Sequence, residues 1–336
     1  MNGVSASDCI LVRCRALKEQ NNELVGVLWG YFVNQSKYYL GLDLGGTKIE
    51  AVVLNRSGKR FFCQRLPTPQ GDYLATLAAI DALVQEADRQ FGIFSAIGIG
   101  TPGAISTLTN RMKNCNSTCL NDQPLLQDLE SRLNRKVFLA NDADCFALSE
   151  AVDGAGQGAQ SVFGVILGTG VGGGLVLNGR LLQGVNRIAG EWGHNLMPEI
   201  VRAGWPDRAC YCGRLNCVET FLSGAGLRQT YQQLCQNLEI LAVPEIVMLA
   251  GQKDECAQQA LNAYAEQLAA ALAAVINIVD PDVIVLGGGL SNIEAIYKQV
   301  PLFLPNFVFS DQVLTQIKAP QYGDSSGVRG AAWLAL

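Results

Sequence analysis

The sequence contains one glycine-tipped hairpin pattern twice, and this repeat restricts the possible folds more than any other feature. The first copy is Leu40–Asn55, with Gly45-Gly46-Thr47 at its tip. The second copy is Phe163–Asn178, with Gly168-Thr169-Gly170 at its tip, and both copies end in Val-Leu-Asn at the same spacing from the tip. The match predicts a duplicated domain with one phosphate-facing loop in each half, with two unrelated hairpins as the alternative.

Helical and strand patterns alternate along the rest of the chain. Apolar residues recur every three or four positions over Asp72–Phe91 and Ala257–Val279, which predicts two amphipathic helices. Short buried strands are predicted at 96–100, 137–140 and 283–286. This alternation indicates an α/β fold with partly parallel sheets.

Composition narrows the class of protein further. The chain has 336 residues, enough for two domains, and its net charge of -5 gives no reason to expect nucleic acid or an anionic membrane as partner. Eleven cysteines without a secretory signal predict mostly reduced thiols in the cytoplasm. Residues 1–37 have no clear period, and we interpret them as an accessory extension, an over-long translated start or a short amphipathic helix.

The first glycine tip belongs to Asp43-Leu44-Gly45-Gly46-Thr47-Lys48, which combines the groups that a phosphate chain needs. Glycines let backbone N–H groups approach phosphate, while the carboxylate can organise hydrated Mg²⁺ and the lysine can offset negative charge. No Walker loop occurs. Gly98–Gly103 and Gly168–Gly173 fit G-x-G-x-x-G, but Pro102 and a following strand argue against dinucleotide binding.

The single histidine lies near a cysteine cluster with metal-ligand spacing. His194 is followed by Cys210, Cys212 and Cys217, a set of one nitrogen and three thiolates that predicts structural zinc. Three buried thiols or a redox pair are the alternative. The remaining cysteines are predicted to be core or lining residues: Cys9, Cys14, Cys63, Cys115, Cys119, Cys145, Cys235 and Cys256.

Three carboxylates lie where loops are expected to face a cleft. Asp142 follows a predicted strand and starts a predicted helix, in which Asn141 or Asp142 would be the N-cap. Glu191 and Glu219 flank the zinc residues, so the metal would fix them as rigid acceptors for a polyhydroxylated substrate. Surface acids beside a zinc knuckle are the alternative.

From about Tyr39 to Trp333 these motifs resemble the ROK family of sugar kinases. The resemblance rests on the motifs above together with Gly190-Glu191-Trp192-Gly193-His194. It implies a two-lobed actin-like (sugar kinase/Hsp70/actin) ATPase fold with duplicated RNase H-like domains. Residues 38–155 plus 320–336 would form a small lobe, and 156–319 a large lobe with the zinc site.

Within the family the chain is most similar to the bacterial fructokinase (mannofructokinase) branch. Lys113–Thr118, Cys210–Gly213 and Gly323–Trp333 carry this likeness, and Asn216 departs from the family's usual glycine. The implied activity is transfer of the ATP γ-phosphate to the 6-hydroxyl of fructose, and also of mannose. N-acetylglucosamine kinase and glucokinase are the alternatives, and a sugar-responsive, non-catalytic regulator is an alternative of another class.

The resemblance also implies a role for individual residues. Asp142 would be the catalytic base. Sugar would contact Asn116, Asn141, Asp142, Glu191, His194 and Glu219, and His194 would bind zinc through one ring nitrogen while the other faces the sugar. MgATP would contact Gly41, Asp43, Gly45, Gly46, Thr47, Lys48, Gly168, Thr169, Gly170, Val171, Gly172, Gly173 and Gly288. A homodimer with neither nucleic acid nor a membrane as partner is expected.

Overall fold

Two five-stranded sheets form the framework of the protein, seen in a computed structural model that describes residues 37–236 and 241–336. The first sheet has the order β3-β2-β1-β4-β7, in which β1, β4 and β7 are parallel and β3 is antiparallel to β2. A small hairpin of β5 and β6 lies outside both sheets. The strands of this half are β1 (Tyr38–Leu44), β2 (Lys48–Asn55), β3 (Arg60–Pro67), β4 (Ala96–Thr101), β5 (Ala104–Ile105), β6 (Met112–Lys113) and β7 (Lys136–Asn141).

The second sheet repeats the plan of the first. Its order is β10-β9-β8-β11-β12, with β8, β11 and β12 parallel and with β9 antiparallel to both β8 and β10. Its strands are β8 (Ser161–Leu167), β9 (Val171–Leu177), β10 (Arg180–Leu181), β11 (Val283–Gly287) and β12 (Gln316–Lys318). The two hairpins found in the sequence therefore occupy the same place in two sheets of equal order, which supports duplication.

Ten helices lie in the described residues, and the helices predicted from periodicity are among them. Asp72 caps the first, because its side chain accepts the Ala75 N–H at 2.9 Å. The helices are α1 (Tyr73–Phe91), α2 (Leu125–Leu133), α3 (Asp142–Val152), α4 (Glu199–Arg202), α5 (Val218–Leu222), α6 (Gly224–Cys235), α7 (Val243–Gly251), α8 (Glu255–Val279), α9 (Glu294–Phe303) and α10 (Ser326–Trp333).

The C-terminal helix α10 packs in close backbone contact with β4 and α3. A Cβ atom at Gly98 in β4 would lie 1.8 Å from the Ala331 carbonyl oxygen, and one at Gly330 would lie 1.7 Å from that of Cys145. Any larger residue at either position would therefore push the helix away. The end of the chain thus completes the half that the first strands began.

The long helix α8 is the centre of the second half's core. It is the one helix in the described part of the chain long and apolar enough to cross a membrane, yet 61% of its most apolar window is buried. Tyr264 on this helix is fully buried and donates from its hydroxyl to the Leu222 carbonyl at 2.9 Å. Burial of this kind is what a core helix shows.

Two sequence predictions need correction, and one lies beyond the described residues. Cys235 and Cys256 form a disulfide, because the end of α6 and the start of α8 bring their Cα atoms to 5.7 Å, so the expectation of two reduced lining thiols is wrong. The glycine content of residues 168–174 predicts a turn over the whole run, but residues 171–174 belong to β9. The extension predicted over 1–37 falls outside the described residues except for Lys37.

Candidate active site

Asp142 lies where strand β7 ends and helix α3 begins. Asn141 is the N-cap of α3, because its side chain accepts the Asp144 N–H at 2.6 Å. The Ala143 N–H donates to Asp142 Oδ1 at 2.8 Å. The parallel strands β1, β4 and β7 all end at this edge of the sheet, which is where clefts form in α/β proteins.

Three aspartates near this edge share one electrostatic environment. Burial, followed by repulsion from Asp142 and Glu50, raises the pKa of Asp43 to about 6. Asp142 keeps part of its surface exposed to solvent, yet the surrounding protein atoms desolvate its carboxyl group and raise its pKa. Burial, then Glu191 and Asp142, raise the pKa of Asp144 to about 7. Such crowding of negative charge favours a bound cation.

Asp144 is a residue that sequence reasoning missed. Its Oδ1 atom is buried and lacks a hydrogen-bond partner among the described residues, although its backbone N–H is bound to Asn141. The signal available in the sequence was a second acid within the first helical turn after Asp142. That position favours a carboxylate because the N-terminal end of a helix carries partial positive charge.

The first glycine loop is a tight turn held from both sides. The Gly45 N–H donates to the Lys48 carbonyl at 3.0 Å, and the Thr68 hydroxyl donates to the Gly45 carbonyl at 2.7 Å. Lys48 is half exposed and lies 3.5 Å from the buried Glu50, so its ammonium remains accessible at the loop. Asn116 lines a cavity of about 320 Å³ beside this loop, rather than the one beside Glu191 and His194.

The second glycine loop joins β8 to β9 and is tied to the start of α6. The Gly168 N–H donates to the Gly170 carbonyl, and the Gly224 N–H donates to the Gly168 carbonyl, both at 2.9 Å. Glu219 Oε2 accepts the Val171 N–H at 2.9 Å. Glu219, a predicted sugar-binding residue, therefore also anchors this loop. The contact links the predicted sugar-binding and phosphate-binding parts of the site.

Two predicted ATP-binding glycines, Gly41 and Gly173, pack closely against other backbone or side-chain atoms in the structure. A Cβ at Gly41 would lie 2.2 Å from the Ala332 backbone nitrogen, so this glycine faces helix α10. A Cβ at Gly173 would lie 2.9 Å from Phe163 and 3.0 Å from the Gly190 carbonyl oxygen. Packing therefore explains Gly41 and Gly173 without ATP, and the glycines at the two loop tips are the better phosphate candidates.

His194, Cys210, Cys212 and Cys217 form a cluster whose four candidate ligand atoms all lie within 4.8 Å of one another. Cys210 Sγ is 3.6 Å from His194 Nδ1, and Cys212 Sγ is 3.6 Å from Cys217 Sγ. A tetrahedral zinc with bonds of about 2.0–2.3 Å separates its ligands by about 3.4–3.8 Å. The donor set and its spacing therefore fit zinc.

The second ring nitrogen of His194, which the sequence predicts to face the sugar, contacts a tyrosine in this structure. His194 Nε2 lies 3.0 Å from the Tyr211 hydroxyl, and the two rings meet edge to face. The sequence prediction did not include this contact because Tyr211 lies between two zinc ligands and was assigned no role of its own.

A cavity of about 520 Å³ brings together Glu191 and His194. Trp192 lies between them and donates from its ring N–H to the Gly172 carbonyl at 2.9 Å, which fixes the short turn that carries both residues. Lys113 and Asn114 also line this cavity and were not predicted as sugar ligands. Asn141 and Asp144 line a smaller neighbouring cavity of about 180 Å³.

Comparison with known proteins identifies the family to which the chain belongs. The model of the ROK family matches residues 39–336. The chain belongs to the ROK family. It is 42% identical over 302 residues, which is 89% of this chain and 99% of the relative, to an N-acetyl-D-glucosamine kinase of Salmonella typhimurium.

Solved structures show the same likeness. A ROK hexokinase from Thermus thermophilus matches with a TM-score of 0.78 at 30% identity, covering 88% of this chain and 97% of that one. A ROK family glucokinase from Streptomyces griseus, solved in complex with glucose and AMPPNP, matches with a TM-score of 0.68 at 27% identity, covering 88% and 98%. The predicted two-lobed, actin-like α/β fold is confirmed, as is a ROK-family sugar kinase, whereas the fructokinase branch is not.

Proposed function

We propose that this protein transfers the γ-phosphate of MgATP to the 6-hydroxyl of N-acetyl-D-glucosamine. The observation that carries the choice of sugar is the 42% identity to an N-acetyl-D-glucosamine kinase across 99% of that relative. This identity leads us to replace fructose with N-acetylglucosamine, which the sequence analysis gave as an alternative substrate.

Asp142 is the base in this proposal. Phosphoryl transfer needs an acceptor oxygen in line with the γ-phosphate, together with neutralised charge, so one well-placed carboxylate suffices to remove the hydroxyl proton. Enclosure raises the pKa of Asp142, which makes the ionised carboxylate a better proton acceptor. Asn141, as N-cap, holds the start of α3 and thereby the position of Asp142.

The two glycine loops and Asp43 would serve the nucleotide. Backbone N–H groups at Gly46 and Thr47, and at Thr169 and Gly170, would approach the phosphates from two sides. Magnesium, when bound with ATP, neutralises charge on the phosphates. Asp43, whose pKa is raised in part by neighbouring acids, gains most from such a cation because the cation favours its ionised form.

The zinc cluster would organise the sugar-binding side. The metal would be held by His194, Cys210, Cys212 and Cys217. Its role would be structural, with no part in the chemical step. Its ligands lie beside Glu191 in sequence and beside Glu219 in space, since Cys210 Sγ is 3.9 Å from Glu219 Oε1. Both carboxylates would accept hydrogen bonds from hydroxyl groups of the sugar.

Fructose remains a second candidate substrate because of Lys113 and Asn114. Lys113–Thr118 resembles the fructokinase branch, and its members Lys113 and Asn114 line the same cavity as Glu191 and His194. These two residues would contact whichever part of the sugar distinguishes a ketohexose from an acetamido sugar.

One assay separates these candidates. Sugar-stimulated ADP release from MgATP is measured with N-acetylglucosamine, N-acetylmannosamine, glucose, mannose and fructose, using zinc-loaded protein and Asp142→Asn as the inactive control. The highest kcat/KM for N-acetylglucosamine supports the proposal, and the highest for fructose replaces the sugar. No stimulation by any sugar would favour the non-catalytic regulator. The homodimer stays a prediction, tested by light scattering on the same sample.

A further inference from the structure

Arg208 is a buried cation whose hydrogen-bond partners in the described part of the chain are all uncharged. The residue is only 3% exposed. Its guanidinium carbon lies 4.2 Å from the centre of the Phe221 ring and 5.7 Å from that of Trp205. Burial of a cation is costly unless hydrogen bonds compensate it, so the acceptors around Arg208 define what this residue holds together.

The guanidinium group of Arg208 bonds four acceptors on two successive helices. Nη1 donates to the Thr220 carbonyl in α5 at 3.0 Å and to the Gly226 carbonyl in α6 at 3.2 Å. Nη2 donates to the Thr230 hydroxyl at 3.0 Å and to Gln233 Oε1 at 2.9 Å, both in α6. The planar group therefore fixes α5 against α6, because its donors point in set directions that a single ammonium cannot reproduce.

The main chain of Arg208 is bound to the loop that carries the cysteines of the zinc cluster. Its N–H donates to Asn216 Oδ1 at 2.8 Å, and the Asn216 N–H donates to its carbonyl at 2.8 Å. Asn216 directly precedes Cys217, and Arg208 lies two residues before Cys210. Arg208 thus joins the loop with three of the four candidate zinc ligands to helices α5 and α6.

Both helices also make contacts with the second glycine loop. In α5, Glu219 directly precedes Thr220, and its Oε2 atom accepts the Val171 N–H at 2.9 Å. In α6, the first residue is Gly224, whose N–H donates to the Gly168 carbonyl at 2.9 Å. A rotation of α5 against α6 would therefore move the carboxylate proposed to bind sugar and the loop proposed to bind phosphate at the same time.

We propose that Arg208 is a positioning residue, which holds the carboxylate of Glu219 and the second glycine loop in a fixed relation by fixing α5 against α6. The inference rests on the proposed sugar kinase activity, but not on which hexose is preferred. Arg208 is enclosed by its own acceptors and acts through Glu219 and Gly224. Loss of one of its contacts therefore weakens sugar binding and nucleotide binding together.

The test removes one acceptor of the guanidinium and leaves every proposed ligand in place. Thr230→Val nearly keeps the shape of a fully buried side chain but deletes the hydroxyl that Nη2 reaches. Thr315→Val is the matched control, because its hydroxyl donates to the Pro281 carbonyl at 2.9 Å beside the edge strand β12. Arg208→Lys is a second variant, which keeps the positive charge but loses the planar set of donors.

Four quantities are measured for each protein, well below its melting temperature. They are zinc per chain, the Kd of the hexose that wild type uses best, the Kd of AMPPNP with magnesium, and kcat from ADP release. We expect Thr230→Val to raise both Kd values by roughly three- to tenfold and to lower kcat by roughly tenfold, since small misplacements of reacting groups cost much in rate. Zinc content should not change.

The other two variants have separate expected results. Arg208→Lys should show larger losses in the same direction, and Thr230→Val decides the test if Arg208→Lys does not fold. Thr315→Val should match wild type in all four quantities, although it too loses a side-chain hydrogen bond.

Wild-type Kd and kcat values in folded Thr230→Val or Arg208→Lys would overturn the proposal and leave Arg208 a contributor to stability alone. A change in only one of the two Kd values, or equal losses in Thr315→Val, would also contradict it. Loss of zinc from Thr230→Val would mean that the effect passes through the metal, against the proposal. Absence of sugar-stimulated ADP release from wild type would instead refute the proposed function, while the binding titrations would still judge Arg208.

Discussion

Replacing Asp142 by asparagine removes the proposed base while leaving most of its surroundings in place. The amide oxygen can still accept the Ala143 N–H, which reaches Asp142 Oδ1 at 2.8 Å. The Asn141 cap of α3 uses a different side chain and is unaffected. The variant therefore tests proton removal and little else.

The stability change is the difference of two small effects. Loss of negative charge in the first turn of α3 costs about 0.3–1 kcal/mol through the helix dipole. Asp142 also repels Asp43 and Asp144, whose pKa values it helps to raise, so its neutralisation relieves part of that repulsion. We expect the free energy of unfolding to stay within about 1 kcal/mol of wild type.

The catalytic change should be much larger. General-base catalysis contributes about 10²–10⁴ in rate, which corresponds to about 2.7–5.4 kcal/mol in the activation barrier. In a coupled ADP-release assay, kcat should fall by that factor while the sugar Kd from direct titration changes by less than about threefold. Turnover within a few-fold of wild type, in protein of unchanged melting temperature, would refute the assignment of Asp142 as base.

Three other perturbations test separate parts of the structure. Cys212→Ser should lower zinc content and weaken sugar binding by roughly tenfold or more, measured by metal analysis and titration; full zinc occupancy would contradict the ligand set. Because the pKa of Asp144 is raised to about 7, the folded protein loses free energy of unfolding as pH rises from about 4 through 7. Urea unfolding should therefore show that Asp144→Asn is more stable than wild type by a few kcal/mol at pH 8 and by less at pH 5. A difference in stability that does not change with pH would refute this. Tyr264→Phe should cost about 1–2 kcal/mol of unfolding free energy, because the buried Leu222 carbonyl loses its donor; an unchanged urea midpoint would argue against that bond.

Local patterns in the sequence predicted much of the framework. The helix over Tyr73–Phe91 and the hairpin tip at Gly45 and Gly46 follow from periodicity and from glycine, and both are confirmed. The N-cap, predicted at Asn141 or Asp142 because a strand runs into Asn-Asp before a helical pattern, is found at Asn141.

What the sequence could not supply depends on contacts between distant segments. The Cys235–Cys256 disulfide requires the end of α6 and the start of α8 to lie side by side, which spacing does not reveal. Gly41 is predicted to contact ATP, and its close approach to the Ala332 backbone, 2.2 Å from a Cβ placed at Gly41, is a long-range contact that the local sequence does not reveal. The Tyr211 contact depends on which nitrogen of His194 faces the thiols, a choice that only coordinates express.

The position of helix α10 has a consequence for how the protein is made. Residues 326–333 cover strands and a helix from the first 150 residues, and Gly98 and Gly330 leave no room for anything but close backbone contact. During synthesis the first sheet therefore keeps one apolar face uncovered until residues 326–333 have left the ribosome. A chain truncated before residue 326 would expose that face permanently, so we expect such products to aggregate rather than retain a working first half.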